Sequence, residues 1–478
     1  MPAPGFVNRE YELRELRDFA DGRGPALAVL YGRRRVGKTF LLSRAWEERR
    51  HFDYLAADST QDANRAELIR ELATWTDDDL DEGDFPSWRA VFRFFAQLAR
   101  ERRALVVLDE VQYLLGGEDD LASQLVAVCD REVGDAPLTL VLCGSEVGVM
   151  ERLRSGDSPL YGRIDWAAHL RPFDYFTARE MAPGLDLREA AEAYGVFGGI
   201  PRYLAVLERA RRLREPVVRS VLSPRGEVHL QLENLIEQEK WIREPAEYNA
   251  VLAAVARGHT LHNRIAQAAG LQDHPQAVRR GLGVLEDLGL IRRERNYGAS
   301  PRTPWRTRPD DNAVQFWYAF VHPHRSRLET GEAEQVWTSE VRPRLDTYMG
   351  RVFEDMCREA YWLHHARWGL AGARTWGRWE GQDRARRSVE VDVVADLDDG
   401  TVLTGEFKWS KKEVDLEVHL HLERYLADLA RSGKGWAERA LSPRGAHLYV
   451  SAAGFTDYFR QKAAEHGRIR LVSLEDLY

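Results

Sequence analysis

Gly32-Arg33-Arg34-Arg35-Val36-Gly37-Lys38-Thr39 reads letter for letter as G-x-x-x-x-G-K-[ST], the phosphate-binding P-loop motif. Each fixed position answers to phosphate chemistry. Gly32 and Gly37 let the backbone turn tightly and aim its N–H groups at phosphate oxygens. Lys38 supplies a point charge for the β- and γ-phosphates, and the Thr39 hydroxyl is a ligand for Mg²⁺. The flanking sequence gives the context that the motif requires. Residues 26–31, Ala-Leu-Ala-Val-Leu-Tyr, form a short apolar run suited to a buried parallel strand, and residues 40–46 continue as a helix. Strand, loop and helix in that order predict a parallel sheet covered by helices.

A chain of 478 residues is long enough for two to four domains, each with its own core. Charged residues make up 30% and hydrophobic residues 44%, an ordinary globular balance. The sequence has no apolar stretch near the roughly 18 residues that a membrane span needs, and Met1-Pro2-Ala3-Pro4-Gly5 lacks the pattern of a secretory signal. Cys129, Cys143 and Cys357 are scattered without metal-ligand spacing, and read as reduced core cysteines of a cytoplasmic protein. The net charge of −8 makes the whole chain a poor nucleic-acid sponge, so any DNA contact must come from local basic patches.

Further strands are read at 104–108 and 138–142, and the acidic run 77–84 reads as a solvated loop. Asp109-Glu110 follows the first of these strands, the Walker B arrangement of carboxylates at a strand's C-terminal end. Asp109 is expected to hold Mg²⁺, and Glu110 to orient or deprotonate the attacking water. The strand at 138–142 runs on to Cys143-Gly144-Ser145, placing Ser145 as a candidate sensor of the γ-phosphate, or as a plain turn residue. Arg163 is a candidate for stabilising transition-state charge, or a solvated arginine.

Residues 6–13 (Phe-Val-Asn-Arg-Glu-Tyr-Glu-Leu), Asp109-Glu110-Val111-Gln112, Leu142-Cys143-Gly144-Ser145 and Gly198-Gly199-Ile200-Pro201-Arg202-Tyr203-Leu204 carry a resemblance. With the P-loop, they make the chain similar to the archaeal-type ATPase family of STAND/AAA-related P-loop NTPases. The resemblance implies that Phe6 to Arg9 lie near the adenine, so that ATP is favoured over GTP and Arg9 joins the cofactor-binding residues. Glu146 departs from the small polar residue expected after Ser145.

From about residue 170 the pattern turns helical and basic, with Arg202, Arg209, Arg211, Arg212 and Arg214 close together. Residues 245–300 read as three helices and a hairpin, the winged form of the helix-turn-helix. In this reading Thr260 caps a helix that Gly270 ends, 275–288 is a second helix, 290–295 a strand, and 296–308 a basic wing. Arg279 and Arg280 lie off the apolar stripe, available to DNA phosphates. Such units serve equally as connectors between proteins.

Residues 389–395 and 402–409 read as strands separated by Asp396-Leu397-Asp398-Asp399-Gly400. With a period of two, Glu406 and Lys408 share a face. If the loop is 398–400 with Gly400 left-handed, Asp392 lies directly opposite Glu406. The two carboxylates then share a divalent cation beside Lys408, which suits hydrolysis of a phosphodiester. A two-residue turn would put Asp392 on the other face. These residues resemble the PD-(D/E)XK nuclease superfamily, whose signature is D…E-x-K. That resemblance matches Glu354, early in a helix, to an acidic residue the superfamily often carries. Arg384, Arg386 and Arg387 stand ready to grip a phosphate backbone, or to form a solvated loop.

The order of parts matches members of the ATPase family. It gives a P-loop ATPase core at 1–170, a helical lid at 171–240, a winged helix at 241–308 and a restriction-endonuclease-like α/β domain at 309–478. The expected function is an ATP- and Mg²⁺-using ATPase whose nucleotide state regulates a metal-dependent nuclease acting on DNA. The alternatives are a nucleotide-controlled switch that binds DNA or protein without cutting, and a pure ATPase motor. Expected partners are DNA and no membrane, with a homo-oligomer left open.

Overall fold

The computed structural model describes residues 7–22, 24–115, 121–239, 242, 244–382 and 386–478. The chain divides into two compact units, one ending at Pro172 and the other beginning at Phe173.

In the first unit five strands form one parallel sheet: β1 (Ala26–Tyr31), β2 (Phe52–Leu55), β3 (Ala104–Asp109), β4 (Leu138–Gly144) and β5 (Trp166–His169). Their order is β2-β3-β4-β1-β5. β4 is buried throughout and β1 and β3 nearly so, which is why they read as continuous apolar runs. The helix Trp88–Glu101 repeats Trp88, Val91, Phe92, Phe95, Ala96 and Ala99 at helical spacing, and joins the core formed with Val106, Leu108 and Leu140. Because β4 separates β1 from β3, the C-terminal ends of all three converge on one edge, where open α/β sheets bind ligands. The acidic run is a surface loop. Asp77 sits left-handed (φ 64°) just beyond the helix Gln61–Thr76, and the Asp81 carboxylate accepts from the Gly83 N–H at 2.8 Å.

The second unit opens with helices. Arg202, Arg212 and Arg214 of the basic stretch are each paired, with Glu227, Glu189 and Glu334. The helices Pro245–Ala256, His262–Ala268 and Pro275–Asp287 are followed by an antiparallel pair, β6 (Ile291–Glu294) and β7 (Arg306–Pro309). Thr260 does not cap the middle helix, whose N-cap is Leu261. The Thr260 backbone is drawn to the hairpin instead, its carbonyl accepting from Thr307 N–H at 2.8 Å.

The long helix Arg342–His364 leads into a mixed sheet ordered β12-β11-β10-β9-β8. Its strands are β8 (Ala373–Gln382), β9 (Ser388–Leu397), β10 (Val402–Lys408), β11 (Gly445–Ser451) and β12 (Ile469–Ser473). β8, β9 and β10 pair antiparallel, and β10, β11 and β12 pair parallel through helical crossovers. Tyr175 OH donates to the Leu477 carbonyl at 2.5 Å, tying the end of the chain to the start of this unit. No helix among the described residues is long and apolar enough to cross a membrane.

Gly405 lies in β10 with no room for a side chain, since a Cβ there would stand 1.9 Å from the Leu448 carbonyl oxygen of β11. Gly405→Ala is therefore expected to destabilise the second unit by about 3 kcal/mol through overpacking against backbone. Calorimetry should show one unfolding transition falling while the first unit's transition holds.

Candidate functional site

At the C-terminal edge of the first sheet the P-loop turns on its glycines. Gly32 (φ 152°) and Gly37 (φ 96°) are both in the region that favours glycine, and a Cβ on Gly32 would meet the Leu170 carbonyl at 2.2 Å. Lys38 is buried at 7% exposure, and its Nζ donates to the Gly32 and Arg33 carbonyls at 2.8 and 3.3 Å. Thr39 Oγ1 donates to Asp109 Oδ2 at 3.0 Å, so the hydroxyl and carboxylate expected at a divalent cation already meet. These are hard oxygen donors, and the pair fits Mg²⁺.

Glu110 follows in a left-handed conformation (φ 52°), which turns its side chain away from the line of β3 and toward β4. Ser145 Oγ donates to Glu110 Oε2 at 2.6 Å, and Gln112 Nε2 contacts the same oxygen and Ser145 Oγ. Ser145 thus holds the candidate catalytic carboxylate, and Gln112, quoted only as part of a motif, is its second holder. Arg9 is left-handed (φ 72°) and contacts the Arg171 carbonyl. Leu170, next to Arg171, is the residue that crowds Gly32, so Arg9 lies one residue from the P-loop's neighbour. Phe6 lies outside the described residues.

Arg163 is not brought to this edge. It pairs with Asp130 at 2.9 and 3.0 Å and lines a cavity of about 170 Å³ with Ala26, Leu27, Leu138 and Cys129. Arg163 precedes β5, which runs parallel to β1, so it stands where the strands begin and the P-loop where they end. Removing the ammonium with Lys38→Ala should weaken nucleotide binding roughly tenfold to a hundredfold, the range for one charge-assisted contact. Titration with a fluorescent ATP analogue reads this, and unchanged affinity would refute the P-loop assignment.

A second constellation sits in the mixed sheet. The loop joining β9 to β10 has Gly400 left-handed (φ 83°), with Leu397 N–H donating to the Thr401 carbonyl and Gly400 N–H to the Leu397 carbonyl. It is the three-residue loop 398–400. The ladder pairs Val402 with Asp396 through to Gly405 with Val393, and one further step puts Asp392 opposite Glu406. There the Asp392 carboxylate, at 2.8 Å, accepts the Phe407 N–H. Glu354 comes from the helix Arg342–His364.

The grouping differs from expectation in one respect. The carboxylates whose oxygens lie within 4.8 Å of one another are Glu354, Glu390 and Asp392. Glu406 is held by Lys408, two residues on and on the same face, which draws it toward the ammonium. Glu390 was missed by the sequence reading, although it stands two residues before Asp392 on the same strand face. Arg378 of β8 was missed as well. It donates to Glu354 Oε2 at 3.1 Å and contacts Glu390. Arg386 is left-handed (φ 60°) and exposed, and Arg384 lies outside the described residues.

Burial, and next the Asp392 charge, push the Glu354 carboxyl up to about 7, and the same two causes push Glu406 up to about 7. Burial works against the charged Lys408, but Glu406 and Asp392 outweigh it and hold its pKa above the ordinary value. A carboxyl with a raised pKa binds its proton more tightly in the fold than in the unfolded chain. Glu406 therefore favours the fold fully below its ordinary value of 4.5, and that contribution is lost as pH rises through about 7. Glu406→Gln, which cannot ionise, should gain on the wild type in Tm between about pH 5 and pH 8. A difference that stays flat or shrinks with pH contradicts the assignment.

Comparison with known proteins bears on both constellations. Residues 6–207 match the family described as an ATPase domain predominantly from Archaea. That match takes in nearly all of the first unit and runs on into the second. Residues 317–418, which include Glu354, Glu390, Asp392, Glu406 and Lys408, match a family of archaeal and bacterial proteins of unknown function. An uncharacterized protein of Methanocaldococcus jannaschii is 25% identical over 434 residues, 90% of this chain and 92% of its own length. Among solved structures, a Walker-type ATPase of Pyrococcus abyssi is 24% identical with a TM-score of 0.49, covering 66% of this chain and 96% of that one. The Aeropyrum pernix ORC2 protein is 14% identical with a TM-score of 0.47, covering 69% and 96%. The match at 6–207 spans Arg9, the P-loop, Asp109, Glu110 and Ser145 together.

Proposed function

We propose that the chain binds and hydrolyses ATP with Mg²⁺ at the P-loop, and that its nucleotide state regulates a metal-dependent nuclease acting on DNA at the mixed sheet. The reading divides the chain into a core at 1–170, a helical lid at 171–240, a winged helix at 241–308 and a nuclease-like domain at 309–478. In the ATPase domain Lys38 carries the phosphate charge, Thr39 and Asp109 hold Mg²⁺, and Glu110, kept in place by Ser145 and Gln112, orients the attacking water.

One observation supports the nuclease reading above all. Glu354, Asp392, Glu406 and Lys408 come from a helix and two strands and interact electrostatically in one place. Three clustered carboxylates suit a hard divalent cation, which when bound polarises a phosphate and makes a water more acidic. Glu354, Glu390 and Asp392 would hold it. Glu406, with its carboxyl at about 7, is fitted to take the proton of an attacking water near neutral pH, and Lys408 to meet the charge developing on the phosphate oxygens.

A specific observation favours a second reading, a nucleotide-controlled switch that never cuts. The hairpin arginines are committed within the chain: Arg306 and Arg308 pair with Glu380, and Arg292 with Asp310 and Asp355. That suits a connector more than a wing laid on DNA.

Lys408→Ala should reduce Mg²⁺- or Mn²⁺-dependent DNA cutting by roughly a hundredfold or more while ATP hydrolysis survives. DNA left intact by the wild type across metals and nucleotides would leave the switch standing and remove the nuclease.

A further inference from the structure

Arg378 stands inside the acidic cluster rather than beside it. Its side chain is only 13% exposed, it donates to Glu354 Oε2 at 3.1 Å, and it contacts Glu390. Those are two of the three carboxylates close enough to share an ion. A guanidinium presents several N–H groups in a fixed fork and stays charged at any physiological pH, so it can bridge two carboxylates as a cation would.

A third acceptor lies within reach. Glu380, two residues along β8, has a carboxylate oxygen 3.8 Å from Arg378 Nη2. Glu380 is at present engaged by Arg306 and by Arg308, the latter at 3.1 Å. The backbone around it is fastened to the segment after β6. Tyr297 N–H donates to the Arg378 carbonyl at 2.8 Å, and Asn296 Nδ2 to the Glu380 carbonyl at 2.6 Å. The hairpin therefore decides how much of Glu380 is left for Arg378.

We propose that Arg378 is a resident counter-ion that keeps the divalent cation out, and that cation entry requires it to leave Glu354 and Glu390 for Glu380. The proposal rests on the reading of this cluster as a cation site. It names the regulation of that site. The guanidinium and the ion compete for the same oxygens, and two positive charges brought that close repel each other. Drawing Arg306 or Arg308 off Glu380 frees the acceptor and opens the site. Leaving them in place keeps it closed.

The test is Mn²⁺ binding to the nucleotide-free full-length protein, followed by the electron paramagnetic resonance of the free ion. Asp392→Asn identifies the binding that belongs to this cluster. Arg378→Gln should tighten the Asp392-dependent site by about tenfold or more, the scale of one charge-assisted pair. Arg378→Lys keeps the charge and gives up the fork, so it should tighten the site by less. Glu380→Gln removes the alternative acceptor and should weaken the site, which keeps the idea testable should Arg378→Gln fold poorly.

An Asp392-dependent site unchanged or weakened in Arg378→Gln overturns the proposal and leaves the cation reading intact. Tightening in Arg378→Gln with Arg378→Lys at the wild-type value reports only a missing nearby charge, and also overturns it. No Asp392-dependent binding in the wild type or any variant overturns both this proposal and the cation reading.

Discussion

Glu354, Asp392 and Glu406 reach one neighbourhood from a helix and two strands, and the Asp392 charge makes ionising Glu354 and Glu406 more costly. Burial removes the water that would screen them, and the result is two carboxyls held near neutrality. Positive charge offsets that cost without unfolding the site. The chain supplies it twice, with Lys408 on Glu406 and Arg378 on Glu354 and Glu390. Much of the surrounding architecture follows from this need. Arg378 sits on β8, beyond β9, and β8 is fastened by its backbone to the segment after β6. The long helix carrying Glu354 packs on the other elements through Val352, Phe353, Met356 and Cys357, all buried.

The P-loop unit meets a related problem differently. Asp109 is met by the Thr39 hydroxyl, and Glu110 by Ser145 and Gln112, all neutral donors. Neutral donors fix a carboxylate in position without cancelling its charge, which suits the cation-holding and water-orienting roles proposed for Asp109 and Glu110. β4 makes this possible by lying between β1 and β3, so that Ser145 at its end faces Glu110 at the end of β3.

The first fold was legible in the sequence because each signal was local. The P-loop, the apolar runs of β1, β3 and β4, and Asp109-Glu110 are short motifs whose neighbours along the chain are their neighbours in space. The β9–β10 hairpin was legible for the same reason: one loop with a glycine in the right place settles which residues face each other. Arg163 stayed open between a phosphate role and a solvated arginine because spacing along a chain does not say which end of a parallel strand a residue meets. Arg378 and its grip on Glu354 and Glu390 were invisible, since β8 and β9 pair with register shifts that no periodicity reveals. Thr260 was read as a cap on local chemistry alone, and a hairpin some 45 residues later claimed its carbonyl.

The three-residue loop at 398–400 also decides which face of the sheet Asp392 occupies. Side chains of a strand alternate between faces, so closing the same sequence one residue earlier or later would turn the whole of β9 over relative to β10. Thirteen residues, an odd number, separate Asp392 from Glu406, and an odd turn brings the two opposite each other. A residue inserted within the turn itself lengthens the loop and leaves that pairing as it is.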